Sequence, residues 1–385
     1  MASDFTAVPV LDWPLATSPA TRAQFLAELL HALVNVGFLY LSHPPVSPET
    51  FDFLTAYIPR LFALPQDRKD ARRMAQSPHF LGYSRLGVEW TKGAADMREQ
   101  WDFGTPYEAE EQREGLPDYR RLWGPAQWPA EDELPGFKET VLEYLKQVTE
   151  LSELFIQLVA EALGLPSDGL ARFFDEKRGV MHRSKIVKYP PLGEVSSTQG
   201  VGPHFDGGFL TFLFQASDHR GLQVQNLAGD WIDVPPIPYT FVINIGKGAP
   251  AVLAVPLCLY ADLRTPAALE TVTRGLACAT SHQVLAPPAG SSPRYSVPFF
   301  LNIAQDLTLG EAMLDFPPEI LKLKEQRGAL STTDSVNYSE FDRLPAGLVT
   351  LIGRVKSHPD VAQEHYPDLF KQIFPQGLPA HGEAY

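Results

Sequence analysis

Cysteine is scarce in this chain. Its 385 residues include two, Cys258 and Cys278, and neither has a CxxC partner or a zinc-like spacing. A disulfide framework is not indicated, so a reducing compartment, the cytoplasm, is the expectation. Long apolar runs are lacking too. A membrane-spanning helix needs roughly 20 apolar residues in succession. The longest candidate, Ala249 to Tyr260, is shorter and holds two prolines. The opening Met1-Ala-Ser-Asp-Phe-Thr has neither the basic nor the apolar part of a secretory signal. Positive charge is in deficit: 32 Lys and Arg against 46 Asp and Glu leave a formal net charge of -14. That argues against non-specific attraction to nucleic acid or to anionic membranes. It leaves room for a local basic pocket, since one small anion needs only one or two cations.

Proline, by contrast, is plentiful at 35 residues, and it gathers in connectors such as Pro235-Pro236-Ile237-Pro238 and Pro287-Pro288. That suits a fold of many strands and turns. With 44% hydrophobic and 20% charged residues the chain can bury a sizeable core. Val8 to Asp12 and Val36 to Leu41 read as strands, and Thr21 to Val36 and Pro48 to Phe62 as helices. Residues 66–130 are polar, aromatic and without a clear period. Phe137 to Leu163 carries the strongest helical stripe, including Val141, Leu145, Val148, Leu151, Leu154, Phe155 and Leu158, and Gly164 ends it. From Ser184 to Ile303 the period shortens into seven or eight short strands separated by turn residues. Helix returns around Ser339 to Val355 and Pro359 to Ile373. The pattern predicts an α+β fold with a mainly β core, a sandwich or jelly roll flanked by helices and backed by the long one.

One strand-like stretch carries chemistry. In Gly202-Pro203-His204-Phe205-Asp206, positions i and i+2 project to one face about 7 Å apart, so His204 and Asp206 can converge on one ion. A second imidazole from a distant strand would complete a facial triad of the kind that suits non-haem Fe(II) oxygenases. His282, in the β-prone segment Ala277 to Val284, is the best third ligand. Twelve residues later Arg294 and Ser296 again share a face, and a guanidinium beside a hydroxyl is a receptor for a carboxylate. Tyr189 can add a phenolic donor. A dicarboxylate with its other end on the metal would span such a cavity. His31, His43, His79, His182, His219, His358, His365 and His381 lack this paired context and read as structural or solvated. Arg183 and Lys185 read as surface charges at a strand end. Phe209, Phe212 and Phe214 read as core. Phe299 and Phe300 point to opposite faces, one towards the pocket.

These residues resemble the isopenicillin N synthase-like family of 2-oxoglutarate- and Fe(II)-dependent dioxygenases, over almost the whole chain. Val8-Pro-Val-Leu-Asp and Asn35-Val-Gly-Phe-Leu-Tyr-Leu are similar to the family's N-terminal region. Lys188-Tyr189-Pro190-Pro191, Gly202 to Asp206, Gly221-Leu-Gln-Val, Trp231, Val242-Ile-Asn-Ile-Gly, Thr280-Ser-His282 and Arg294 to Phe300 are similar to its core. The resemblance implies a double-stranded β-helix (a cupin-like jelly roll) at residues 131–310, between an N-terminal α/β region at 1–130 and a C-terminal helical region at 311–385. It implies His204, Asp206 and His282 as iron ligands, with Arg294, Ser296 and Tyr189 on 2-oxoglutarate. Fe(II), 2-oxoglutarate and O2 are then the cofactor and co-substrates. The protein would hydroxylate, desaturate or cyclise a small organic molecule, releasing succinate and CO2. It would act as a monomer, without nucleic acid or membrane partners. Pocket specificity would come from residues 78–105, the strand faces and the C-terminal helices, with Tyr83 and Phe300 as candidate lining. An oxidase of the isopenicillin N synthase type that dispenses with 2-oxoglutarate, and a non-catalytic small-molecule binder, are the rival readings.

Two features depart from the family pattern. Ser42-His43-Pro44-Pro45 stands where the family usually has Asn-His-Gly or similar, a change at a turn. The interval from Asp206 to His282, 76 positions, is long. About 20 residues, 248–267, intervene, and joining Lys247 to Ala268 restores the family pattern. Two origins are open for this apolar stretch: a translated intron, or a loop over the pocket.

Overall fold

A computed structural model describes residues 5–91, 94–108, 115–247, 250–252, 262–264, 269–308, 311, 313–327 and 344–377. Its strands in chain order are β1 (Val10–Asp12), β2 (Phe38–Ser42), β3 (Gly82–Ser84), β4 (Trp90–Thr91), β5 (Ala94–Ala95), β6 (Glu99–Gly104), β7 (Arg183–Tyr189) and β8 (Gln199–His204). There follow β9 (Leu210–Gln215), β10 (Leu222–Gln225), β11 (Trp231–Asp233), β12 (Phe241–Ile245), β13 (Pro250–Val252), β14 (Asp262–Arg264), β15 (His282–Leu285) and β16 (Arg294–Leu301). Eight of them form a major sheet in the order β1-β2-β12-β9-β16-β7-β6-β3, and four a minor sheet in the order β11-β10-β15-β8. Apart from the parallel pair β1 and β2, the ladders are antiparallel. The two sheets face each other across a cavity, which is the jelly roll that the strand pattern predicts.

The outer face of the major sheet is closed by the helix Phe137–Ala162, 26 residues long. Val141, Leu145, Val148, Leu151, Phe155 and Leu158 are buried there, as a stripe recurring every three or four residues requires. Phe155 meets Phe212 of β9 edge-on at 5.7 Å, and each such side chain contributes about 1.5–3 kcal/mol on burial. Leu154, read as part of the stripe, is instead exposed on the far side. Among the described residues no helix is long and apolar enough to cross a membrane.

Three local devices aim the core at the cavity. The helix Arg22–His31 runs into a π-helical turn, Ala32–Val36, which Gly37 ends in the left-handed region at φ 75°. A Cβ on Gly37 would lie 2.2 Å from the carbonyl oxygen of Cys278, so only glycine fits. Beside it, Thr280 Oγ1 donates to the Val36 carbonyl at 2.6 Å and Cys278 N to that of Leu33 at 2.8 Å, fixing the segment that leads to His282. Gly246, after β12, allows an equally close approach: a Cβ there would stand 1.7 Å from the carbonyl oxygen of Gly208.

The region without a clear period, 66–130, supplies β6, a fully buried strand of the major sheet. Its sequence, Glu-Gln-Trp-Asp-Phe-Gly, is too polar to read as a buried strand because its polar side chains are paired inside the protein. Of the stretch 248–267, β13 and β14 pair as an antiparallel ribbon, and the remainder lies outside the described residues. So do Cys258, His381 and residues 339–343 of the helix expected to begin at Ser339, whose described part is Ala346–Ser357.

Candidate active site

The cavity between the sheets has a volume of about 340 Å³. His204 ends β8 and His282 begins β15, and the two are direct partners across that antiparallel ladder. Their rings lie 4.2 Å apart between centroids. Asp206, just past β8, places Oδ1 3.7 Å from the Nε2 atom of each imidazole. The three donor atoms all fall within 4.8 Å of one another. An imidazole that spends Nδ1 on a carbonyl presents the lone pair of Nε2 to a metal. His204 Nδ1 faces the Gly202 carbonyl at 2.8 Å, and His282 Nδ1 that of Thr280 at 3.4 Å. The far carboxylate oxygen of Asp206 accepts hydrogen bonds from Thr211 Oγ1 at 2.6 Å and Asn244 Nδ2 at 2.7 Å, leaving Oδ1 for the centre.

Electrostatics suit a cation here. Burial, and then His282 beside it, push the His204 imidazole far down, to about 3, so it is neutral. Burial alone would raise the Asp206 carboxyl. His282, His204 and the two hydrogen bonds outweigh it and hold the group below its ordinary range. Two imidazole nitrogens and one carboxylate oxygen on one side of a point match what Fe(II) takes from a protein while keeping positions open.

At one end of the same cavity Arg294 is 1% exposed. Its Nη2 donates to Gln215 Oε1 at 2.9 Å, while Nε and Nη1 are buried and without a hydrogen-bond partner among the described residues. Such an unmet guanidinium is costly unless an anion completes it. Ser296 lies two residues on along β16, and Tyr189 stands opposite Arg294 in the ladder, its ring 5.1 Å from the guanidinium carbon. All three line the cavity, so the donor set fits a dicarboxylate such as 2-oxoglutarate.

The candidate lining residues part company. Phe300 is in the cavity wall and Phe299 is in the core behind it. Tyr83 is not in the wall. It lies on the helix side of the major sheet against Trp101, and its hydroxyl donates to Glu99 at 2.8 Å.

Arg183 and Lys185 are likewise not surface charges. Arg183 is buried and donates to the carbonyls of His79 and Phe80 at 2.8 and 3.0 Å, and burial pushes its pKa down to about 9. Lys185 is buried in the cavity wall, 3.2 Å from Asp102 and 3.5 Å from Glu89. His358, read as structural or solvated, is also in that wall and meets Glu89 at 3.2 Å. Alternation along β7 is the signal that places Lys185, because Lys185, Val187 and Tyr189 share one face and Tyr189 faces the cavity. No local signal points to Glu89, Arg354 or His358, which arrive from segments remote in sequence.

Comparison with known proteins agrees with this geometry. Residues 8–131 match the N-terminal model described as "non-haem dioxygenase in morphine synthesis", and residues 180–303 match the 2OG-Fe(II) oxygenase superfamily model. A 2-oxoglutarate-dependent dioxygenase of Dothideomycetidae sp. (strain 11243) is 39% identical over 96% of this chain and 95% of its own length. Another, from Gibberella zeae, is 33% identical over 96% and 94%. The crystal structure of a full-length Neurospora crassa protein in complex with alpha-KG superposes with a TM-score of 0.64 at 23% identity, covering 89% of this chain and 95% of that one, which establishes a shared fold. The chain belongs to the isopenicillin N synthase-like family of 2-oxoglutarate- and Fe(II)-dependent oxygenases, and is an oxidoreductase that acts on a small molecule with Fe(II) and 2-oxoglutarate.

Proposed function

We propose that His204, Asp206 and His282 hold the Fe(II), and that Arg294 and Ser296, with Tyr189 beside them, grip the distal carboxylate of 2-oxoglutarate. The observation that carries this reading is one cavity holding both three convergent metal donors and a buried arginine with two guanidinium nitrogens unpartnered among the described residues. O2 is the oxidant: Fe(II) would activate it, 2-oxoglutarate would supply two of the four electrons it takes and leave as succinate and CO2, and the substrate would supply the other two in hydroxylation, desaturation or cyclisation. The protein's own part is positional. Thr211 and Asn244 orient Asp206, two carbonyls set the imidazole tautomers, and Arg294 fixes the co-substrate end-on. Phe300 stands at the substrate's approach to the metal, and the apolar Val187, Leu213 and Leu222 keep water from the reacting atoms.

The reading extends to organisation. Residues 1–130 form the N-terminal region, 131–310 the catalytic core with 248–267 as an insert, and 311–385 the C-terminal region. The protein works as a cytoplasmic monomer without nucleic acid or membrane partners. The deciding test is anaerobic addition of Fe(II) and 2-oxoglutarate to purified protein. A visible metal-to-ligand charge-transfer band is expected, followed by succinate release in air. A protein that binds neither reagent would return the cavity to a non-catalytic binder.

A further inference from the structure

The sheet ladder orders the cavity. Arg294 is level with Tyr189, and Ser296 with Gln215, at one end. Phe300 is level with Thr211, which holds Asp206, towards the other. Lys185 lies on the cavity face of β7 four residues before Tyr189, or roughly 13 Å along a strand. The wall beyond the metal, on the side away from Arg294, therefore begins with Lys185.

That wall is a buried ionic cluster. Glu89 is met by Arg98, by Gln100 Nε2 at 2.8 Å, by His358 at 3.2 Å and by Lys185 at 3.5 Å. Asp102 faces Gln100 at 3.0 Å, Lys185 at 3.2 Å and Arg354 at 3.8 Å. Asp96 accepts from Thr91, Gln199 and the Gly202 main chain at 2.8–3.1 Å and pairs with Arg98 at 3.3 Å. Glu89 and Asp96 thus have four partners each, and Asp102 has two close ones and Arg354 farther off. The cations are less fully met: among the described residues Arg98 Nε is buried without a hydrogen-bond partner, and the carboxylate paired with Arg354 stands beyond hydrogen-bond length. Gln100 and Asp102 do not line the cavity: Asp102 Oδ1 meets Lys185 and Arg354 from behind the wall, which leaves the cavity side of both cations without a carboxylate of its own apart from Glu89. Apart from Asp206 of the metal donors, Glu89 is the carboxylate that lines the cavity among the described residues, against Arg98, Lys185 and Arg354.

We infer that the primary substrate is anionic, and that it docks its charged group, a carboxylate or a group of like size, on Lys185 and Arg354 across from the iron. This rests on the oxygenase reading of the same cavity. It adds that the wall away from 2-oxoglutarate is a second anion receptor, which selects substrates by charge and points the uncharged remainder at the metal. A cluster that merely ties residues 89–98 and the helix Ala346–Ser357 to the sheet would not need to turn three cations and one carboxylate towards the cavity.

The test uses the full chain with Fe(II) and saturating 2-oxoglutarate under nitrogen, so that the Arg294 site is filled. Matched triplets of small probes (an aryl or alkyl carboxylate, its primary amide and the corresponding amine) are offered at millimolar concentration and followed by ligand-observed NMR. The carboxylate of each triplet is expected to bind best, by about tenfold or more, and Arg354→Gln to erase that preference. Arg354→Glu should turn it towards the amine. No preference in the wild type, no carboxylate binding at all, or a preference that Arg354→Gln leaves intact would overturn the inference. The charge-transfer band is read in the same tubes. Its presence with no carboxylate preference sinks this inference alone, and its absence sinks the oxygenase reading beneath it. The wild-type comparison stands even if a variant fails to fold.

Discussion

The two ends of the cavity are built in different ways. The metal end comes from adjacent strands: His204 and His282 face each other across one ladder, Asp206 is two residues from His204, and Arg294 and Ser296 are two apart on β16. The far end is assembled from residues 89–98, from β7 and from the helix and turn at 354–358, joined by ion pairs. Rigid strand spacing fixes an invariant geometry. Segments brought together from afar can change without disturbing it. Chemistry should therefore reside at the first end and choice of substrate at the second, and variants can separate the two.

The largest effect is expected at the triad. His282→Ala and Asp206→Ala each remove one of three ligands acting as a unit. Succinate formation should fall on the order of 10³-fold or more, and purified protein should carry little iron. Normal iron content and activity in either variant would erase the proposed contrast. Arg294→Gln should come next, raising the KM for 2-oxoglutarate by about 10²-fold, since it removes a buried charged partner, while iron content stays near wild type. Arg354→Gln should leave that KM unmoved. An equal rise in both variants would mean that the two ends are not distinct receptors.

Smaller again is the loss of an outer partner. Thr211→Val or Asn244→Ala leaves the three ligands in place but removes one of the two hydrogen bonds that hold Asp206 Oδ2. Iron affinity should weaken about 10–100-fold, read by competition with a chelator. Affinity within error of wild type would show that the removed hydrogen bond does not help to orient the carboxylate.

The same contrast explains what the sequence discloses. His204, Asp206, Arg294 and Ser296 are legible because period 2 on a strand turns two letters into a geometry, and the order of motifs along the chain brings in His282. The long helix is legible because its stripe persists over all 26 residues. Lys185 misleads because a charged residue near a strand end is ordinarily solvated, and only the acids on β6 and at Glu89 make its burial tolerable. Tyr83 misleads because a tyrosine in an aperiodic segment gives no indication of which sheet face it joins. Glu89, Arg354 and His358 are unreadable for a deeper reason: their partners are more than 80 residues away in at least one direction, and no local spacing encodes an ion pair.

The smallest effect is expected where the sequence departs most from its family. Residues 248–267 lengthen the path from Asp206 to His282, yet with them in place His282 Nε2 stands 3.7 Å from Asp206. The chain on either side of them is already tied together. Glu270 N donates to the Gly246 carbonyl at 3.2 Å, and Thr271 Oγ1 to that of Lys247 at 2.9 Å. Lys247 N in turn donates to the Asp206 carbonyl at 3.0 Å. The stretch therefore leaves and re-enters the fold at neighbouring points, and such an excursion can be shortened with little strain on what it connects. A chain in which Lys247 is joined directly to Ala268 should keep its charge-transfer band and bind iron within about twofold of the full chain. If the band is lost, the stretch supports the metal end, and the separation of a rigid chemical end from a replaceable remainder fails at that point.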